Sequence, residues 1–476
     1  MAKSKNKAKI SFIGEASETV TGSMYLLEYR DTLTMIGAGM HQCKDKIKQY
    51  QINSRNFKFK IKKLENILIQ EWHIDHFGQL CHLFNIGCRP KVFAPIGSKE
   101  YFKIAFEDGL KITQKDSEYI SKVTGKPVKP LYTKDDIDIM LEHIIECESF
   151  SKIWINEYTQ IRYTPTYHVA NSQQIEIFIC DGESNYRKKI LYGGDYGNTD
   201  INKPFLEPFN VVDSADVCLL ESTYAMNIKT CNQKTRDKDI EKIQVAVRET
   251  CIGNKSSLII PSFAYNRSAE ILYELYMLYG DNKEFDVPIL LDSPLAVKIA
   301  KMFGNCIPKK DVEIWDKILK WDNLHLISEW EDSEMATRND GSKIVIACSG
   351  FCENGRIKNW LIKELGNPRA MIMFIGFSDE GSLATQIKDG KKKYIEIDGL
   401  EIQNKAKVMV LNSFSSHMQH NRLLEAYSNI NAKSIYLVHG ENPNRIHFAE
   451  LLEKECRKKD KTTKIWVPYK DLVIEI

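Results

Sequence analysis

Short runs of β-branched and aliphatic residues recur along almost the whole chain, each closed by a turn residue or a polar side chain. "KISFIG", "MYLLEY", "LTMIGAG" and "ENILIQ" come first, and "QIRYTPTYH", "QIEIFIC", "KKILYGGD" and "ADVCLLES" form a second set of the same kind. These are strands separated by turns. Between Lys229 and Ala300 the texture changes to longer helical patterns around buried strands: "IEKIQVAVRETC", "SLIIPSFA", "SAEILYELYMLYG" and "PILLDSP". "KIVIACSG", "AMIMFIGF", a strand-rich stretch through "VMVLNSF", and "SIYLVHG" with a terminal helix complete the chain. Strand-turn-strand followed by strand-helix-strand predicts α/β layers, with one domain inserted in another.

Composition narrows the function. At 476 residues, 43% hydrophobic and 27% charged, the chain has material for two or three globular domains. No window reaches the ~18 apolar residues of a membrane span, so no membrane role is expected. The net charge of +2 gives no global basic field. Any nucleic-acid binding must therefore come from a local groove. The twelve cysteines include no CxxC pair and sit mostly in apolar runs. They read as reduced, buried thiols of a cytoplasmic protein rather than as a zinc finger.

The chemistry concentrates at strand ends. "QEWHIDHFG" (70–78) follows a buried strand and places His73, Asp75 and His76 within four residues, with Glu71 two positions earlier. Imidazole and carboxylate are the ligands expected of zinc, and the spacing suits two adjacent divalent ions. Taken alone, the same run could be a capping aspartate between surface histidines. His168, Asp195, Glu221, His417 and His439 also follow apolar runs. Strand-end loops are where α/β proteins place functional groups.

With these residues in view, the chain resembles the β-CASP branch of the metallo-β-lactamase superfamily. This group includes the endonuclease subunit of the pre-mRNA cleavage and polyadenylation factor and its bacterial and archaeal relatives. The resemblance rests on "GEASETVTGSMYLLE", "ILYGGDYGN", "LLESTYA", "IIPSFAYNRSAEILYEL", "LLDSPLA", "CSGFCENGR", "FIGFSDEGSLA", "FSSHMQ" and "LVHGE", in that order. It implies a four-layer αβ/βα metallo-β-lactamase domain (1–224 and 415–476) with an inserted α/β β-CASP domain (225–414). It implies two divalent ions, zinc first and manganese or iron as alternatives. Asp75, His76 and His439 would hold one ion, His73 and His168 the other, and Asp195 would bridge them. The expected activity is single-strand RNA endonuclease, with 5′-exonuclease activity as a possible addition. A metal-bound hydroxide would attack, with Asp75, Glu221 and His417 as the catalytic set and His417 as general acid. Arg267 and Arg356 are candidate ligands of the RNA phosphates. A homodimer and a protein partner are both compatible with the resemblance.

Four positions depart from the family pattern. Glu71 stands where a metal-binding histidine is usual, and Gly37-Ala38-Gly39 lacks the acid of the family's "DCG". Asn171 replaces a glycine, and Gln419 an aspartate. Glu71 remains competent as a ligand, because carboxylate oxygen binds zinc and its hardness suits manganese or iron. The other reading is a degenerate site in an RNA-binding or structural subunit. Against it stands the retention of every other expected ligand. A small-molecule hydrolase fits less well, since such relatives lack the β-CASP insertion.

Overall fold

The computed structural model describes residues 7–228, 230–376 and 378–476. The chain forms two compact units. The first comprises Met1–Thr199, Glu207–Lys229 and His417–Ile476, and the second Asp200–Leu206 and Thr230–Ser416. The short segment Asp200–Leu206, which the sequence reading left in the first domain, thus packs with the second.

Two seven-stranded sheets face each other in the first unit. One runs in the order Val473–Glu475, Lys9–Phe12, Tyr25–Tyr29, Thr32–Ile36, Leu64–Leu68, Lys91–Pro95, Ile144–Cys147. The other runs Lys464–Trp466, Asn431–Val438, Ser214–Glu221, Tyr186–Tyr192, Gln173–Asp181, Thr159–Pro165, Lys152–Trp154. Alternation along each strand explains the layering. Val217, Leu219, Tyr436 and Val438 point into the core between the sheets, where they join Phe12, Tyr25, Leu68 and Tyr163. Their neighbours Cys218, Leu220, Ile435 and Leu437 point outward and pack with Leu423, Tyr427, Phe448 and Leu452. These last belong to the helices His420–Asn429 and Asn444–Lys458. A strand buried on both faces has no polar side, which is why these runs are continuously apolar. On the other outer face, Phe77 stacks on Phe102 of the helix Ser98–Thr124, with ring centroids 4.7 Å apart. The result is the four-layer αβ/βα arrangement that the family resemblance implies.

The second unit is built on a parallel six-stranded sheet in the order Leu324–Ile327, Ile289–Asp292, Lys343–Ala347, Ser257–Pro261, Met371–Ile375, Lys407–Leu411. Helices follow the strands, as parallel connections require. "DSPLA" shows the local logic: Ser293 accepts a hydrogen bond from the Ala296 amide, and Pro294 occupies the first turn. A buried ionic network lies in the same unit. Arg236 donates to Glu270 (2.6 Å) and Glu274 (2.9 Å), and Arg267 donates to Glu270 (2.7 Å). Among the described residues no helix is long and apolar enough to cross a membrane. Among the described residues none of the twelve cysteines is in a disulfide, and nine are buried.

One glycine is a steric requirement of the fold. A Cβ on Gly39 would overlap the main-chain carbonyl of Asp75 and crowd the Ser23 amide. Gly39→Ala is expected to lower stability by about 1–3 kcal/mol through this overpacking. Thermal denaturation of the variant beside the wild type measures it.

Candidate metal centre

Beyond the strand Leu64–Leu68 the chain turns through Glu71-Trp72-His73. Trp72 is 2% exposed; its indole stacks on Tyr101 (4.6 Å between centroids) and donates to Ser98 Oγ at 2.7 Å. In extended backbone the neighbours of an anchored side chain project the opposite way, which turns Glu71 and His73 toward the site. His73 then begins the short helix Ile74–Phe77, whose first turn carries Asp75 and His76. The main chain holds this loop in place. The Ser23 amide donates to the Asp75 carbonyl (2.9 Å), Ala38 to His76 (2.8 Å) and Met40 to Ile74 (3.0 Å). Gly37-Ala38-Gly39 thus supports the ligand loop through backbone contacts that need no acidic side chain.

The remaining groups arrive from strand ends of the second sheet. His168 follows Thr159–Pro165, and its amide and that of Val169 both donate to Ser172 Oγ at 3.1 Å. Asn171 has φ of 60° in this turn. Asparagine is among the few non-glycine residues that enter the left-handed region readily, so it replaces the family glycine without changing the turn. Asp195 follows Tyr186–Tyr192 across two glycines, Glu221 ends Ser214–Glu221, and His439 follows Asn431–Val438. Glu221 and Val438 are paired across the parallel ladder, which sets His439 beside Glu221.

Three sets of side chains come within mutual reach: Glu71, His73, His168 and Asp195; Asp75, His76 and His439; and Asp195, Glu221 and His417. His76 Nε2 lies 2.8 Å from Glu71 Oε1, 3.4 Å from Asp75 Oδ2 and 3.5 Å from Asp195 Oδ2. His439 Nε2 lies 3.0 Å from Asp75 Oδ2, and its Nδ1 is 3.3 Å from Asp195 Oδ1. Yet both Glu71 oxygens, His76 Nε2 and Asp195 Oδ1 are buried and make no hydrogen bond. Only the His439 Nε2–Asp75 Oδ2 contact among these distances is a hydrogen bond. Buried polar atoms gathered head to head without hydrogen bonds are the arrangement of ligands about a cation. With carboxylate oxygen and imidazole nitrogen as donors, the residues fit divalent metal ions.

Electrostatics agree. Burial alone would raise the Glu71 and Asp75 carboxyls, but the facing imidazoles, His76 foremost, hold both below the usual carboxylate range. Asp195 is held down against its own burial chiefly by His439. Burial would lower His73, His76 and His439, yet the carboxylates around them raise all three.

Beside the clusters, His417 directs Nδ1 toward Glu221 Oε1 at 3.5 Å, the outer limit of a hydrogen bond. Glu221 is itself fixed by the amides of Tyr196 (3.2 Å) and Thr223 (2.9 Å). Gln419, in place of the family aspartate, donates to the His417 carbonyl at 3.2 Å and so holds that residue's main chain. Arg267 and Arg356 lie in the other unit, and each contacts partners there. Arg267 contacts Glu270 and Ser416 Oγ, and Arg356 contacts Asp292 (2.7 Å) and the carbonyls of Ile327 and Ser328.

Two contacts were not foreseen from sequence. Thr223 Oγ1 meets His439 Nδ1 at 2.9 Å, and the Gln70 amide meets His76 Nδ1. Gln70 had a signal, since it opens the ligand run; Thr223 had none beyond adjacency to Glu221. Of the histidines given no role, His82, His143 and His420 face backbone carbonyls and His41 faces the Thr21 hydroxyl.

Comparison with known proteins agrees with this geometry. A family described as the Beta-Casp domain matches residues 268–387, and one described as the Zn-dependent metallo-hydrolase RNA specificity domain matches 401–468. These two matches support the β-CASP ribonuclease family. It is 27% identical over 443 residues to Ribonuclease TTHA0252 of Thermus thermophilus, covering 92% of this chain and 94% of that protein. It is 25% identical over 403 residues to an RNase J-like protein of Methanocaldococcus jannaschii (83% and 86% covered). With Endoribonuclease ysh1 of Schizosaccharomyces pombe it shares 23% over 460 residues, 95% of this chain but 57% of that longer protein. A crystal structure of a protein of unknown function from Enterococcus faecalis superposes with a TM-score of 0.54 at 10% identity, covering 99% and 100% of the two chains; this likeness concerns the fold alone.

The β-CASP chain's ligand cluster dictates a pH dependence. In metal-free protein the raised histidines stabilise the fold below their ordinary value of about 6.5, and that contribution is lost as pH rises through their higher folded values. The lowered carboxylates contribute above their ordinary range of about 4, and that contribution is lost as pH falls through their folded values. Chelator-treated protein should therefore lose thermal stability on the alkaline side. Added metal should remove that loss, because the cation replaces the protons. Melting curves from pH 6 to 9 with and without metal test this.

Proposed function

We propose that this β-CASP chain hydrolyses phosphodiester bonds of single-stranded RNA with two divalent ions. Glu71, His73, His168 and Asp195 would hold one ion, and Asp75, His76 and His439 the other, with Asp195 shared. The observation that carries this reading is the convergence of these side chains in two sets, with both Glu71 oxygens, His76 Nε2 and Asp195 Oδ1 buried and without a hydrogen bond. Relatives named as ribonucleases and endoribonucleases point to RNA as substrate. Bound ions supply Lewis acidity, activating water and neutralising phosphate charge. Zinc suits the histidine-rich donor set, and the third carboxylate contributed by Glu71 extends the choice toward manganese or iron.

The chain's own residues supply the proton. Glu221, held by two amides, faces His417 Nδ1 and so leaves Nε2 as the nitrogen that delivers a proton to the departing oxygen. With 21% of its side chain exposed, His417 is reachable from solvent, whereas Asp195 at 4% is not. The completeness of the ligand set argues against a degenerate site.

Purified protein should cleave a single-stranded RNA oligonucleotide internally in the presence of zinc or manganese, and EDTA should abolish cleavage. His417→Ala should lower kcat by about 10²–10⁴ while metal content stays unchanged. Asp195→Ala should lose both metal and activity. Full activity in His417→Ala would remove that residue from the mechanism, and metal-independent cleavage would remove the ions.

A further inference from the structure

Glu71 is more than a substitute for one histidine ligand. A histidine offers one nitrogen to a metal; a carboxylate offers two oxygens. The two oxygens of Glu71 face different ligand sets. Oε1 lies 2.8 Å from Nε2 of His76, which belongs with Asp75 and His439. Oε2 lies 3.5 Å from Nδ1 of His73, which belongs with His168 and Asp195. Both oxygens are buried, the side chain is 1% exposed, and neither oxygen makes a hydrogen bond.

Asp195 also lies between the two sets. Its Oδ2 lies 3.8 Å from His168 Nε2, while its Oδ1 lies 3.3 Å from His439 Nδ1. Its Oδ2 also lies 3.5 Å from His76 Nε2, so both carboxylates stand between the same two groups of imidazoles, and Glu71 divides its two oxygens between them.

We infer that Glu71 bridges the two metal ions, giving this chain a centre joined by two carboxylates, Glu71 and Asp195. The inference rests on the reading of the site as a dinuclear metal centre. Anchorage supports it: Trp72, next in the chain, is fixed by Tyr101 and Ser98, so Glu71 is held on the line between the ligand sets. A bridging carboxylate couples the ions, because binding one orients the anion that receives the other. Neither ion then binds at full strength alone. Oxygen bridges of this kind suit manganese and iron as well as zinc.

The test is a titration of chelator-stripped full-length protein with manganese chloride, with bound ions counted by elemental analysis. Electron paramagnetic resonance follows whether the ions are magnetically coupled. Wild-type protein should take up two ions in one cooperative step, coupled by about 5–150-fold, and show the spectrum of an exchange-coupled pair. Glu71→Gln keeps the shape and one metal-binding oxygen, and Glu71→His keeps a single nitrogen. Circular dichroism identifies any variant that fails to fold, and the other then carries the comparison. Each should weaken both ions and split uptake into two separate steps. If a folded variant weakens one ion and leaves the other at wild-type affinity, Glu71 is a ligand of one ion and the bridge is refuted. Unchanged uptake in both folded variants refutes it equally. Wild-type protein that binds one ion or none would overturn the dinuclear reading itself.

Discussion

Three carboxylates and four imidazoles share one small, mostly buried volume, and the surrounding architecture answers to that concentration of charge. A buried ionised group is costly unless it is paired and its polar atoms are satisfied. Glu71, Asp75 and Asp195 are kept ionised by His73, His76 and His439, yet several of their atoms lack hydrogen bonds. In the absence of metal, protons on the imidazoles offset the negative charge. Divalent ions do so better, because they also give the orphaned lone pairs a partner. Metal binding and local stability are thus one equilibrium in this centre.

Rigid main chain makes such a cluster possible. Ser23, Ala38 and Met40 pin the ligand loop through amides, and Ser172 pins the turn at His168. These supports explain why departures from the family pattern are tolerated. The acid missing from Gly37-Ala38-Gly39 leaves the amides in place. Asn171 adopts the backbone a glycine would adopt. Gln419 reaches the carbonyl of the residue it must hold.

The α/β layering and the strand-end candidates were legible for the same reason: an apolar run with a single polar terminus announces both a strand and what stands at its end. His168, Asp195 and His439 could be picked out that way because strands of one sheet deliver their ends to one edge. Periodicity, however, describes faces rather than loops. It could not show that Asp200–Leu206 packs with the second unit, since that depends on contacts distant in sequence. Nor could it show that the two oxygens of Glu71 face different ligand sets, which is fixed by a rotamer and by the anchored indole beside it. Arg267 and Arg356 were picked out as cations near glycines and helix starts. The carboxylates they meet, Glu270 and Asp292, became apparent only in three dimensions.

The contact between Asp75 and His439 joins residues 364 positions apart. Translation proceeds from the N-terminus, so a chain emerging from the ribosome displays Glu71, His73, Asp75 and His76 long before His439 exists. Until then the set of Asp75, His76 and His439 lacks its third member, and the strand Asn431–Val438, which pairs with Ser214–Glu221, is missing as well. A chain cut short before that point would carry most of the chemistry without the means to assemble it. The order of synthesis thus leaves this centre incomplete until the last part of the chain has been made.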